Sequence, residues 1–256
     1  MIRWCFGMAL LIASSLCVSA GKAQNPGNLN EIEAKPRLNV LDKGEIWVLK
    51  MRFNPPRLIK VDIPGRGFKL CWYLLYHVTN PDPKEPHTFI PDFQLVTLDS
   101  PAVFHDQVLP TVQKAIQKIE DPTGLLDIKN SVTISDRPLP LTKPESTLRY
   151  VTGVAIWDDV SPDTNQFSIF AAGLSNGWSV DDQDVIRRKT LQLNFRRLGD
   201  KSNQDARDIR FIAPEEWIYR AVTAKNGEAP KTKSEKEDKP KSENRNPKQT
   251  QNPNGK

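Results

Sequence analysis

Residues 190–195 read Thr-Leu-Gln-Leu-Asn-Phe, an unbroken alternation of polar and apolar positions. A period of two puts Leu191, Leu193 and Phe195 on one face of a strand and Thr190, Gln192 and Asn194 on the other. One face packs and the other meets water, as in an antiparallel sheet. The stretch 68–79 differs: from Trp72 to Tyr76 it is apolar on both faces, which predicts a central strand covered on both sides. β-type composition recurs over 46–53, 57–63, 89–98, 148–157, 166–174, 189–196 and 209–212, and 217–221 closes the series. Turn chemistry separates these runs, as at Pro64-Gly65-Arg66-Gly67 and Asn80-Pro81-Asp82-Pro83. Pro91 inside one run predicts an edge strand or a bulge.

One stretch changes period. Val108, Leu109, Val112, Ala115, Ile116 and Ile119 recur at helical spacing, with Gln113, Lys114, Gln117 and Lys118 opposite. Pro110 suits a first helical turn and Asp121-Pro122 stops the pattern, so the chain predicts one amphipathic helix over about 109–119, lying across the sandwich. Residues 136–144, with three prolines, read as an extended connector, and no internal repeat is visible. The body is therefore mainly β, an antiparallel β-sandwich with one short helix, as one domain over 37–222 or as two small sandwiches sharing a face.

The two ends differ from this body. Arg3 precedes an uncharged run, 4–20, and the small residues Val18-Ser19-Ala20 and Ala23 follow. A positive start, a short apolar stretch and an Ala-x-Ala-like exit predict a signal peptide over 1–23, cleaved after Ala20 or Ala23. The run is diluted by Gly7, Ser14, Ser15 and Ser19, which argues against a membrane anchor; no transmembrane segment is expected once the leader is cleaved. A lipoprotein reading through Cys17 is disfavoured by Leu16 before it. Residues 24–36 read as a flexible lead. From 223 to 256 the chain is Lys, Glu, Asn and Pro with no aromatic residue, too polar to offset about 1–2 kcal/mol of backbone entropy per residue, and so reads as a disordered tail.

This partition decides what charge and cysteine mean. The net charge of +5 includes Arg3 and a tail whose nine basic residues face five acidic ones, so the body is close to neutral. A nucleic-acid binder wants a concentrated basic face, and none is expected here. Of Cys5, Cys17 and Cys71 only the last survives cleavage, which excludes an internal disulfide. Cys71, between Leu70 and Trp72, reads as a buried, inert thiol.

The stretch 72–106, an aromatic strand followed by Val-Thr-Asn, a proline loop and another strand, resembles exported immunoglobulin-like modules. Residues 148–221 resemble a group of exported planctomycete proteins of unassigned function. The residues concerned are Gly153-Val154-Ala155-Ile156-Trp157, Gly173-Leu174-Ser175-Asn176, Arg188-Lys189-Thr190-Leu191 and Glu216-Trp217-Ile218-Tyr219-Arg220. The resemblance implies export and a β-rich, immunoglobulin-like sandwich. It transfers no catalytic or binding residue.

Candidate chemistry is thin. His77, His87 and His105 are spaced by ten and eighteen residues, which matches no zinc motif, so ordinary hydrogen-bonded histidines are expected. Asp158, Asp159 and Asp163 form one acidic cluster and Asp181, Asp182 and Asp184 another. Calcium takes clustered carboxylate oxygens, but neither segment has the alternation of an EF-hand loop, and Asx turns explain both. Ser175 in Gly173-Leu174-Ser175-Asn176-Gly177 has the letters of a nucleophile elbow without the helix that should follow, and reads as a turn. Arg187, Arg188, Lys189, Arg196 and Arg197 bracket one strand as candidate anion-binding residues, with neighbouring aspartates available to neutralise them. No cofactor motif occurs. The expectation is a non-enzymatic exported protein of the periplasm, cell envelope or medium, binding or scaffolding an envelope protein or polymer. The alternative is an envelope polysaccharide hydrolase using the loop aspartates.

Overall fold

A computed structural model describes residues 31–37, 39–141, 149–198 and 209–221. The expected leader and tail, and 24–30 of the expected lead, lie outside the described residues. The described residues form eleven strands and one α-helix: β1 (Ile32–Ala34), β2 (Lys50–Phe53), β3 (Arg57–Ile63), β4 (Gly67–Thr79), β5 (Asp92–Thr97), β6 (Ala102–His105), α1 (Pro110–Glu120), β7 (Val151–Trp157), β8 (Gln166–Ala172), β9 (Trp178–Val180), β10 (Ile186–Arg197) and β11 (Ile209–Ala221).

Two antiparallel sheets make a β-sandwich, and each is organised by one long strand. In the first, β3 pairs with β4 along Gly67–Tyr73 and β2 along Tyr76–Thr79, on the same edge, with β1 beyond β2. β7 takes the other edge of β4 along Trp72–Val78. In the second, β10 carries β11 on one edge and β8, then β9, on the other; β5 and β6 extend the sheet beyond β8. Trp72, Leu74 and Tyr76 face Phe93, Phe167, Ile169, Leu191 and Phe195 across a single core that draws on residues from Ala34 to Trp217. Its aromatic rings meet edge-on, as Trp72 and Phe167 do at 5.1 Å between centroids.

The two-sided apolar character of β4 has a direct cause. Cys71, Tyr73 and Leu75 point away from the sandwich core, into a second cluster with Ile59, Val61, Val154 and Ile156. Val112 and Ile116 of α1 cover that cluster, each burial stabilising by about 1.5–3 kcal/mol. Glu120 pins the helix end, accepting from Arg57 and from the Tyr73 hydroxyl, each at 2.6 Å. The helix thus covers the outer face of the first sheet rather than lying across the sandwich as a whole. Burial pushes the Cys71 thiol up to about 11, with the charge of Asp158 adding to it.

Other expectations are corrected. Ile32–Ala34 of the expected flexible lead is a strand, because its backbone continues the β2 edge and Ala34 enters the core. Pro91 precedes β5, which is an inner strand of its sheet, so the missing donor falls outside the ladder. The two runs at 209–212 and 217–221 are one strand; a register shift opposite Gln192 and Asn194 absorbs Pro214. Strands β6 and β9 were not expected at all. The expected extended connector begins with Asp136 still in the helical region, closing a short turn, and its residues 142–144 lie outside the described residues; within it Leu139 N–H donates to the His87 carbonyl at 2.9 Å. Among the described residues no helix is long and apolar enough to cross a membrane.

Candidate functional site

While α1 covers the first sheet, no described element covers the outer face of the second. Alternation along β10 and β9 turns Trp178, Val180, Ile186 and Arg188 to this face, with Thr190, Gln192, Asn194 and Arg196 continuing it. Toward the centre Arg220 lies over the Phe170 ring at 4.1 Å and donates to Gln94. At the β9 end the face drops into a groove of about 430 Å³ between Trp47, Thr88 and Ile90 on one side and Trp178, Ile186 and Arg188 on the other. Trp178 is 58% exposed and Ile90 67%, an unusual outlay of apolar surface for a rim.

The floor is built by glycines and a stitched turn. At Gly173, φ is +89°, and a Cβ there would sit 2.0 Å from the Ile90 carbonyl oxygen, so only glycine lets the chain pass. The next residues pair with the segment ahead of β2: Leu49 N–H donates to Leu174 O at 2.7 Å, and Trp47 N–H to Asn176 Oδ1 at 2.9 Å. Ser175 Oγ donates to Trp47 O and accepts from Gly177 N–H. Ser175 is thus a turn residue, as its sequence context predicts. Trp47 in turn stacks on His87, 4.6 Å between centroids and 14° from parallel.

Behind the floor lies a buried ionic cluster. Lys189 has a fully buried side chain, and its Nζ lies 2.6 Å from Asp42 Oδ2. Tyr219 donates to Asp42 Oδ1 at 2.5 Å and Asn39 N–H to Oδ2 at 2.7 Å. Burial pushes the Asp42 carboxyl up, but the bonds from Lys189, Tyr219 and Asn39 outweigh it and hold the group below its ordinary 3.8. The cluster fastens the 39–42 loop to the second sheet.

The structure separates the five basic candidates by strand parity. Arg188 and Arg196 face solvent on the open side. Lys189 is consumed by Asp42, Arg187 donates twice to Asp181 Oδ2, at 2.8 and 2.6 Å, and buried Arg197 donates to Pro162 O. They do not form one patch.

The six aspartates are separated too. Asp158, with its side chain withdrawn from solvent, is met by Arg66 at 2.5 Å, and Asp159 lies near Arg66 and Lys69. Asp163 is exposed in the β7–β8 loop. Asp181 caps its own turn through Gln183 and Val185 N–H, with Asp182 and Asp184 exposed beside it. The first group adjoins the Gln166–Arg196 end of the second sheet and the other its Val180–Ile186 end. A twelve-residue strand lies between them, roughly 36 Å at about 3.3 Å per residue. Of the histidines, His77 joins Thr152 and Glu31 on the first sheet, and His105 approaches Asp92 on the second. Burial lowers His77 against the opposing charge of Glu31.

The groove is absent from sequence reasoning because Trp47 and Trp178 meet only through pairing of segments far apart in the chain. The one local hint is Gly173-Leu174-Ser175-Asn176-Gly177, read correctly as a turn. Comparison of the chain with protein-family models, with curated proteins and with solved structures finds no match in any of the three.

Proposed function

We propose that this is a non-enzymatic exported protein that binds or scaffolds in the cell envelope, taking an envelope protein or polymer in the groove between Trp47 and Trp178. The observation that carries the reading is the exposed Trp178 indole, set beside Ile186 and Arg188 over a groove of ligand-binding size. Tryptophan and arginine are the side chains on which interfaces concentrate their affinity. The leader-like start and the resemblance of 148–221 to exported proteins support the envelope setting. The hydrolase alternative needs two carboxyl groups within about 5–9.5 Å of one another beside a sugar-sized cleft; Asp158 and Asp159 come near one another by sharing Arg66, but no carboxyl group among the described residues lines the groove.

The test is cosedimentation of the purified chain with insoluble envelope polymer and with envelope membranes, comparing wild type with Trp178→Ala and Arg188→Ala. The control is Phe68→Ala, exposed on the β3–β4 hairpin of the other sheet. Binding should fall by about tenfold in the groove variants and persist in the control. Equal binding in all four proteins would refute the groove.

A further inference from the structure

The β4–β5 connection reads Pro81-Asp82-Pro83-Lys84-Glu85-Pro86-His87, with three prolines fixing φ between its polar residues. Buried Asn80 organises it: its Nδ2 donates to Glu85 O at 2.8 Å and its Oδ1 accepts from Asp82 N–H at 3.0 Å. Asp82 Oδ1 accepts from the Lys84 and Glu85 amides, at 2.8 and 3.3 Å, which leaves Oδ2 turned to His87. His87 is only 8% exposed, and its Nε2 faces Asp82 Oδ2 across 3.4 Å, within ion-pair distance but without a well-formed hydrogen bond. A buried imidazole nitrogen this poorly satisfied is one that a cation held between it and the carboxylate would satisfy.

One ligand atom from each of Asp82, Glu85 and His87 lies within 4.8 Å of the other two. We propose that these three side chains form a binding site for a divalent transition metal of the zinc class. An imidazole nitrogen in the set favours zinc over calcium or magnesium, and two carboxylates match the charge of a divalent cation. Metal–ligand bonds of about 2.0–2.1 Å in a tetrahedron place ligands about 3.3–3.4 Å apart. The Nε2–Oδ2 separation already has that length. Glu85 is exposed and its side chain closes the remaining distance by rotating, and the fourth position is left to water. The ion also fixes the ring on which Trp47 stacks, so it stiffens one wall of the groove. The site stands independently of the groove reading.

The test is calorimetric titration of the full chain, stripped with chelator, with Zn²⁺, followed by Co²⁺ titration read by tryptophan fluorescence. One ion should bind per chain, and Co²⁺ should quench the fluorescence through Trp47. Glu85→Gln, whose side chain takes no part in the loop hydrogen bonds, and Asp82→Asn, which keeps the Oδ1 acceptor, should each weaken binding by about tenfold or more. His87→Gln should abolish it, while Trp178→Ala should bind normally. Absence of a one-to-one Zn²⁺ site, or unchanged affinity in both Glu85→Gln and Asp82→Asn, overturns the assignment. The last two variants decide the matter even if His87→Gln does not fold.

Discussion

Asp42→Ala is the substitution from which the fold should suffer in the most informative way. It removes the counter-ion 2.6 Å from a lysine whose side chain is fully buried, and the acceptor of the Tyr219 hydroxyl. What remains near the Lys189 ammonium is the face of Trp217, 5.9 Å away. Stranding one partner of a buried pair costs about 3–5 kcal/mol. In a domain of this size each kcal/mol is worth about 2–4 °C, so Tm should fall by about 6–20 °C. Lys189→Met costs less, about 1–3 kcal/mol, because Asp42 keeps the Tyr219 and Asn39 donors. The double variant should resemble Asp42→Ala rather than the sum of the two, leaving a coupling of about 2 kcal/mol in denaturant unfolding. The pair also fixes the acid response. The folded Asp42 carboxyl lies below 3.8, so the unfolded chain binds its proton first. Its stabilisation is complete above that value and is lost as pH falls through the folded pKa; the difference between wild type and Asp42→Asn should narrow over that window. Strictly additive single substitutions would show that the 39–42 loop does not dock on the second sheet, and the reasoning would be wrong.

Trp217→Ala should cost about 3–5 kcal/mol, since the ring is buried and its Nε1 donates to Lys35 O; an unchanged melting curve would place the ring in solvent. Cys71, buried with its thiol pushed up to about 11, should resist thiol reagents in the folded protein and react only in denaturant. Stoichiometric labelling under native conditions would contradict its place beneath α1.

The long strands and the helix were legible because their patterns are long. Leu191, Leu193 and Phe195 declare the inward parity of β10, Trp72 to Tyr76 declares the doubly covered β4, and Pro110 and Asp121 bound α1 within a residue. Strands of three or four residues carry too little period to be read: β9 ends at once in the acidic turn 181–184, and β1 offers the core only Ile32 and Ala34. The basic bracket shows a subtler failure. The same alternation that places Leu191 inward also places Lys189 and Arg197 inward, so their removal from any surface patch was implicit in the pattern. What no local pattern contains is the groove, or the meeting of Asp42 with Lys189, because each depends on which distant segments pair.

Among the described residues the two sheets are also joined by backbone, at two places. Leu49 N–H bonds to Leu174 O beside the groove, and Gln107 N–H, on the chain leaving β6, bonds to Ile156 O of β7. Sheets that touch only through side chains can slide over one another as their cores relax. Two such seams oppose sliding at both places, which makes the sandwich a closed box rather than a hinge. A ligand docking at the proposed site on its rim would meet a wall that is already in position and would lose little conformational entropy. Under the proposed function, selectivity would come from the shape held before a partner arrives, not from movement afterwards.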